Sequence, residues 1–173
     1  SFGSVYSDIL GKYNDREGIV IDTRFNGGGR LHEDIEILFS GKKYFTQVIR
    51  GRESCDMPSR RWNKPSIMLT CEANYSNAHG TPWVYQHQGI GKVVGMPVPG
   101  TMTSVSWETL QDPTLYFGIP IVGYRLPDGS YLENKQLEPD VKIANSPEKI
   151  IQGEDEQLKK AVDELLKDID SKK

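Results

Sequence analysis

The chain has 173 residues, a net charge of −3 and a pI of about 5.7, which suits one globular domain with a substantial core. Basic residues do not cluster beyond short pairs such as Lys42-Lys43 and Arg60-Arg61, so there is no phosphate-binding footprint and nucleic acid is not an expected partner. No apolar run approaches the roughly 18 residues needed to cross a bilayer, so no membrane span is expected.

The first half of the chain predicts two helices and two buried strands. A short β-branched run at 18–22 and a second at 66–71 are typical of strands that are buried on both faces. Residues 32–39 form a plausible helix, and a polar, Arg-rich connection runs from 50 to 64. An opening helix is indicated by apolar residues at three- and four-residue spacing: Tyr6, Ile9, Leu10 and Tyr13.

The second half continues the alternation of helices and strands. A helix is expected within 77–87 and strands at 92–95 and 119–123, followed by a tight hairpin turn at 127–129 that returns through 131–133. A final amphipathic helix of about four turns carries one apolar stripe: Leu158, Ala161, Val162, Leu165 and Leu166. Together these elements favour a single α/β domain spanning the whole chain.

The two cysteines, Cys55 and Cys71, do not form a metal-ligand pattern. They are compatible with two free thiols or with one disulfide, and the sequence leaves both possibilities open.

A glycine-rich segment follows the first predicted strand. Residues 22–29 read DTRFNGGG, and three glycines in a row allow left-handed backbone turns and close approach of a ligand to the amides. Exposed N–H groups of this kind can form an oxyanion hole. Alone, the segment is more typical of a tight strand-to-helix connection than of an oxyanion hole. It is not a phosphate loop, since no Gly-Lys-Ser/Thr ending follows.

Two further segments carry polar residues that could act in chemistry. Ser76 follows the second buried strand at a predicted helix start, where its hydroxyl would lie near backbone donors, although such a serine can simply be an N-cap. The stretch from 128 to 140 holds four acidic residues, and alone it fits a solvated hairpin and its exit: Asp128, Glu133, Glu138 and Asp140.

In their order along the chain, these segments resemble the tail-specific and tricorn-type serine peptidases. That family carries an Asp-Leu/Val-Arg-x-Asn-Gly/Pro-Gly-Gly segment, a strand leading to the nucleophilic serine, a Val-Val-Gly-like segment and a Gly-Val-x-Pro-Asp signature. The matching stretches here are 22–29, 71–80, 93–95 and 136–140. The resemblance implies an α/β domain of the crotonase/ClpP-like superhelical type with Ser76 as nucleophile.

The tail-specific branch places a lysine general base about 25 positions after its serine. Thr101 stands there instead, and Lys92 is too early, so the resemblance disfavours a Ser–Lys mechanism. The tricorn branch has a late glutamate in a Glu-Asn-x-Gly-Val-x-Pro-Asp stretch, which residues 133–140 match except for Gln136 and Leu137. The resemblance therefore implies that Glu133 is the supporting acid. It also implies that the substitution at 136 affects the local turn and so the orientation of the Glu133 carboxylate.

The catalytic histidine of tricorn-type enzymes lies well upstream of the Asp-x-Arg segment, and this chain has only 21 residues before Asp22. We therefore expect residues 1–173 to be the catalytic fragment of a longer peptidase, nearly inert alone because its base is elsewhere. His79, three positions after Ser76, is expected to be a surface or structural residue. His32 and His87 are expected to be structural.

The mechanism implied by the resemblance is acyl transfer to water, with the backbone amides of Gly28 and Asn77 stabilising the oxyanion. It implies a peptide or protein substrate and needs no metal or other cofactor, and it favours an extracytoplasmic location. Two alternatives remain open: a noncatalytic peptide-binding member of the fold, and a crotonase-type acyl-CoA enzyme, which rests on fold analogy alone.

Overall fold

The computed structural model describes residues 2–171. The helices are α1 (Phe2–Ser7), α2 (His32–Ser40), α3 (Asn77–His87), α4 (Pro147–Ile151) and α5 (Glu156–Asp170), and a π-helical turn, Asp8–Lys12, extends α1. The strands are β1 (Ile19–Asp22), β2 (Phe45–Ile49), β3 (Arg52–Met57), β4 (Ser66–Thr70), β5 (Lys92–Gly95), β6 (Ser104–Thr109), β7 (Tyr116–Val122) and β8 (Val141–Lys142). Within residues 2–171, no helix is long and apolar enough to cross a bilayer.

The core of the molecule is a parallel four-stranded sheet in the order β1-β4-β5-β8. Strand β4 lies between β1 and β5, and all five of its residues are buried, as its unbroken apolar run predicts. Because parallel strands end at the same edge, the segments after β1, β4 and β5 meet there. This edge brings the glycine-rich segment and the serine segment together.

The two faces of β4 pack against different helices, because successive side chains of a strand point in opposite directions. Ile67 and Leu69 face α5, where they contact Ala161 and Leu165 in one buried cluster. Met68 points to the other face and packs with Val93 of β5 and Tyr85 of α3. A third cluster, formed by Ile9, Leu38, Phe39 and Trp62, joins the opening helix to α2.

Two antiparallel hairpins lie outside this sheet, and the sequence patterns predicted little of either. Residues 50–64, expected to be a connection, contain β3, which pairs with β2. The strand expected at 119–123 is the end of β7, which pairs with β6 rather than joining the central sheet. Most side chains of β2 and β7 are exposed, so neither hairpin shows the alternating burial that identifies a half-buried strand.

The buried face of α5 differs in part from the predicted stripe. Ala161 and Leu165 are buried, but Leu158, Val162 and Leu166 remain 39%, 38% and 51% exposed. Their places on the buried face are taken by two polar residues, Gln157 and Glu164. Gln157 is drawn inward because its side chain donates a hydrogen bond to the Ile143 carbonyl and accepts one from Arg24. The two cysteines are free thiols.

Candidate active site

Ser76 connects the sheet to α3 at the carboxyl edge of β4. It occupies the N-cap position of α3 with φ 56° and ψ −123°, a backbone conformation that a non-glycine residue rarely adopts. Such a conformation costs on the order of 1–3 kcal/mol and persists only where the surrounding structure enforces it. The Ser76 hydroxyl does not cap the helix, so the side chain at this position is free for another role.

Pro82, inside α3, accounts for the role of Asn74 in the segment before Ser76. Pro82 has no N–H to donate to the carbonyl of Ala78, one helical turn earlier. The buried side chain of Asn74 takes its place and donates to that carbonyl at 3.2 Å. Asn74 also donates to Thr23 Oγ1 at 3.2 Å, which ties the serine segment to the segment after β1.

The glycine-rich segment lies directly against Ser76. Tyr75 donates its N–H to the carbonyl of Asn26 at 3.0 Å, which links the two loops. A Cβ atom on Gly28 would lie 2.7 Å from the Ser76 Cβ and 3.0 Å from the Asn77 nitrogen, and Gly28 has φ +106°. Only glycine fits this close approach, which the glycine run in the sequence had indicated.

The two amides expected to form an oxyanion hole are therefore neighbours, but they differ in their present partners. The Asn77 N–H belongs to the first residue of α3, so it has no carbonyl within the helix to bind. The Gly28 N–H donates to the Asn26 side chain at 2.7 Å. An oxyanion at this site would have to share or replace that side-chain oxygen.

Thr101 contacts the nucleophile segment from the loop after β5. Its hydroxyl accepts the Ser76 N–H at 3.1 Å. The sequence had marked position 101 only for its missing lysine, and no pattern in the sequence indicated this contact. The tail-specific branch is expected to have its general base at this position. Here Thr101 instead holds the backbone of Ser76.

Glu133 reaches the same loop from the segment before β8. Its Oε2 accepts the N–H of Thr103 at 2.7 Å, which anchors the carboxylate two residues from Thr101. Asn134 takes the left-handed conformation in this turn (φ 61°), and its N–H donates to the Gly100 carbonyl. Gln136 has a negative φ, so the glycine of the family pattern is not required at that position.

His79 is fully buried, so the expectation of a surface residue is wrong, and a structural role remains. Both ring nitrogens lack a hydrogen-bond partner among the described residues. Burial lowers the pKa of His79, while the Lys135 backbone and the charge of Glu133 oppose that shift. A neutral, enclosed imidazole beside the site results, because α3 turns this side chain into the core rather than toward solvent.

The other two histidines have partners of their own. His32 Nδ1 lies 2.7 Å from the Asn77 side-chain nitrogen. His87 stacks on Trp83 with ring centroids 3.8 Å apart, and its Nδ1 lies 3.0 Å from the Trp83 carbonyl. Both rings therefore contact other protein groups, and no pattern in the sequence indicated that His32 contacts the residue after Ser76.

An ion-pair network fixes the start of the glycine-rich segment. Arg24 binds Asp155, the N-cap of α5, through two hydrogen bonds of 3.0 and 2.7 Å, and it also binds Asp22. The Arg24 guanidinium holds the pKa of Asp155 at about 2 and lowers the pKa of Asp22. Asp155 was not identified from the sequence, because it lies 131 residues from Arg24 and outside every motif.

The order of the four segments along the chain agrees with a match to a known family. The sequence profile of "Peptidase family S41" covers residues 1–143. The chain belongs to peptidase family S41. Asp155 and α5 come after residues 1–143, the region that the S41 profile covers, but they pack against residues of that region.

Among curated proteins, this S41 chain is similar to the tricorn protease of Thermoplasma acidophilum, with 26% identity over 155 residues, 88% of this chain and 14% of that protein. It is also similar to a putative tricorn-like protease C-terminal subunit of Sulfurisphaera tokodaii, with 24% identity over 99% of this chain and 20% of that protein. The chain thus spans no more than a fifth of the length of these two relatives.

Solved structures of the S41 type share the fold. A tricorn protease crystal structure superposes with a TM-score of 0.75 at 24% identity, over 88% of this chain and 15% of that one. The photosystem II D1 C-terminal processing protease superposes with a TM-score of 0.58 at 15% identity, over 83% of this chain and 39% of that one. These superpositions confirm the predicted α/β fold.

Proposed function

We propose that Ser76 is the nucleophile of a serine endopeptidase that cleaves peptide or protein substrates through an acyl-enzyme. The observation that carries the proposal is the strained N-cap position of Ser76, whose hydroxyl is not used to cap α3. Strain of this kind is found at functional sites, where surrounding contacts over-determine the backbone. The helix N-terminus behind it favours negative charge that develops next to the serine.

In this mechanism, Ser76 Oγ attacks the scissile carbonyl carbon as its proton passes to a base. The N–H of Asn77 stabilises the resulting oxyanion, joined by the N–H of Gly28 once that group turns from Asn26. Collapse of the tetrahedral species expels the amine, which takes up the proton, and leaves the acyl-enzyme. Water then attacks the ester carbonyl, and Ser76 is regenerated.

We propose that the base is a histidine outside residues 1–173, with Glu133 supporting it. The three histidines of the chain offer poor alternatives: His79 is enclosed, His32 is bound to Asn77 and His87 is stacked on Trp83. Glu133 is half-buried beside the serine loop, and one of its oxygens is anchored by the Thr103 N–H. Its other oxygen can orient an imidazole that approaches Ser76.

A noncatalytic peptide-binding role is the second candidate. The same glycine turn and helix N-terminus would bind a peptide carbonyl without chemistry. The uncommitted hydroxyl of Ser76 favours catalysis, since a binding module gains nothing from holding a serine at φ 56°.

The test is to treat the full-length protein with a fluorophosphonate and to follow intact mass and the labelled residue over time. Ser76 should be labelled stoichiometrically, and Ser76→Ala should abolish both labelling and peptide hydrolysis. The matched control is Ser146→Ala, which alters another helix N-cap serine and should leave labelling unchanged. A Ser76→Ala variant that keeps more than about a tenth of wild-type hydrolysis would exclude Ser76 as nucleophile.

The same reagent tests where the base lies. Residues 1–173 alone should be labelled far more slowly than the full-length protein, because an unassisted serine hydroxyl is protonated near neutral pH. Equally rapid labelling of both would place the base within this chain and make His79 the first residue to replace. A protein that binds peptides but is never labelled would support the noncatalytic alternative.

A further inference from the structure

His32 begins α2, and its ring contacts the residue that follows the proposed nucleophile. Its Nδ1 lies 2.7 Å from the side-chain nitrogen of Asn77. The other atom of that amide fixes its orientation, because Asn77 Oδ1 accepts the N–H of Leu31 at 3.0 Å. Asn77 Nδ2 must therefore donate toward His32, and His32 Nδ1 must accept. This arrangement requires a neutral imidazole with its proton on Nε2.

The Asn77 side chain forms a hydrogen-bonded joint between the start of α2 and the start of α3. It is 5% exposed, and its Oδ1 also lies 3.2 Å from the Thr81 hydroxyl, one turn further along α3. The glycine turn at 27–29 ends three residues before His32. The bond between His32 and Asn77 therefore sets how the turn that carries Gly28 lies against the start of α3.

His32 is half-buried, so protons can reach the ring. It lines a pocket of about 350 Å³ whose charged and titratable members are, besides His32, Arg30, Glu33 and Tyr124. The Tyr124 ring meets the imidazole edge-on, with centroids 6.2 Å apart. Arg30 and Glu33 carry opposite charges. Asn77 Nδ2 can only donate, so its hydrogen bond to His32 Nδ1 forms only when that ring nitrogen carries no proton.

We propose that His32 is a positioning residue for the oxyanion-binding end of α3. The neutral ring holds Asn77 and, through it, the spacing between the Asn77 and Gly28 amides. Protonation places a second donor against Asn77 Nδ2, which breaks the bond and loosens the joint. This inference rests on the proposed function of Ser76, because the amides it positions are those that would bind the oxyanion.

The kinetic test compares two variants of the full-length protein. His32→Asn places an uncharged acceptor near the position of Nδ1, whereas His32→Leu removes the acceptor. His32→Leu should lower kcat about tenfold with KM nearly unchanged, less than the 10²–10³ expected on losing an oxyanion donor outright. His32→Asn should restore kcat to within about threefold of wild type.

Equal kcat in wild type and His32→Leu would overturn the inference, and so would a His32→Asn variant no better than His32→Leu. A loss confined to KM would also overturn it, because oxyanion donors act in the transition state. Circular dichroism of each variant controls for unfolding.

A readout independent of activity separates this inference from the proposed function. In protein with ¹⁵N-labelled histidine, the nitrogen shifts of His32 near neutral pH should report an unprotonated Nδ1 and a protonated Nε2. A proton on Nδ1 would overturn the inference whatever Ser76 does. Failure of Ser76 to react with fluorophosphonate would defeat the proposed function instead, and the His32 shifts would still decide whether the joint exists.

Discussion

The backbone N–H of Ser76 donates to the Thr101 hydroxyl at 3.1 Å, across 25 residues of sequence. This bond holds the strained turn of the serine from the loop after β5. It makes position 101 a support for the nucleophile, although the residue there cannot act as a general base.

Thr101→Val removes this acceptor and keeps the shape of the side chain. We expect kcat to fall about tenfold, because the loss of one hydrogen bond costs roughly 1–1.5 kcal/mol and Ser76 can then relax from its positive φ. Thr101→Ser should restore the rate. Thr103→Val is the matched control, since only the backbone of Thr103 makes a hydrogen bond to Glu133. Steady-state hydrolysis by the full-length protein measures all three, and an unimpaired Thr101→Val variant would contradict the assignment.

Glu133→Gln should lower turnover, but by less than Ser76→Ala. Glutamine keeps an oxygen that can accept the Thr103 N–H, so the loop stays in place while the negative charge that supports a catalytic imidazole is lost. Loss of a triad acid can cost up to about 10⁴-fold in kcat. Glu138→Gln, at an exposed position of the same segment, should change little. Unchanged turnover in Glu133→Gln would remove this carboxylate from the mechanism.

Gly28→Ala should nearly abolish activity. The new methyl group would lie 2.7 Å from the Ser76 Cβ and 2.9 Å from the Tyr75 carbonyl oxygen, so the glycine turn must move away from the nucleophile. Displacing an oxyanion donor costs about 10²–10³ in kcat. Gly27→Ala is the control from the same run, because a Cβ at that position meets nothing within 4 Å. Similar losses in the two variants would show that the turn, rather than its contact with Ser76, is what matters.

Asp155→Asn should reduce the acid sensitivity of the fold. The Arg24 ion pair lowers the pKa of Asp155 from 3.8 to about 2, so the folded state binds fewer protons than the unfolded state between these values. The pair therefore stabilises the protein fully above about pH 4, and this contribution is lost as pH falls toward 2. Asparagine cannot form the ion pair at any pH.

Urea unfolding of the chain at pH 7 and pH 3 measures this effect. Asp155→Asn should be less stable than wild type at pH 7, and the difference should shrink at pH 3. Asp163→Asn, which removes an exposed pair with Lys159, should leave the pH dependence unchanged. A difference that is equal at both pH values would contradict the assignment.

Local patterns in the sequence predicted three of the four strands of the central sheet and named the candidate nucleophile. The apolar runs at 18–22 and 66–71 indicated strands buried on both faces, residues 92–95 indicated a further strand, and the order of the four motifs selected the family and proposed Ser76. The glycine run predicted a left-handed turn, and Gly28 and Gly29 adopt positive φ. The predictions of the strands, the family and this turn were confirmed because each depends on residues that are neighbours in sequence, whereas the role of Ser76 stays a prediction.

Only the tertiary structure decided which distant groups meet. Thr101 at Ser76, His32 at Asn77 and Asp155 at Arg24 join segments 25, 45 and 131 residues apart. Each is a hydrogen bond between residue types that are common on any protein surface, so no spacing or composition reveals it. Such contacts are formed by the packing of the loops and helices around the carboxyl edge of the sheet, and that packing also encloses His79 beside the site.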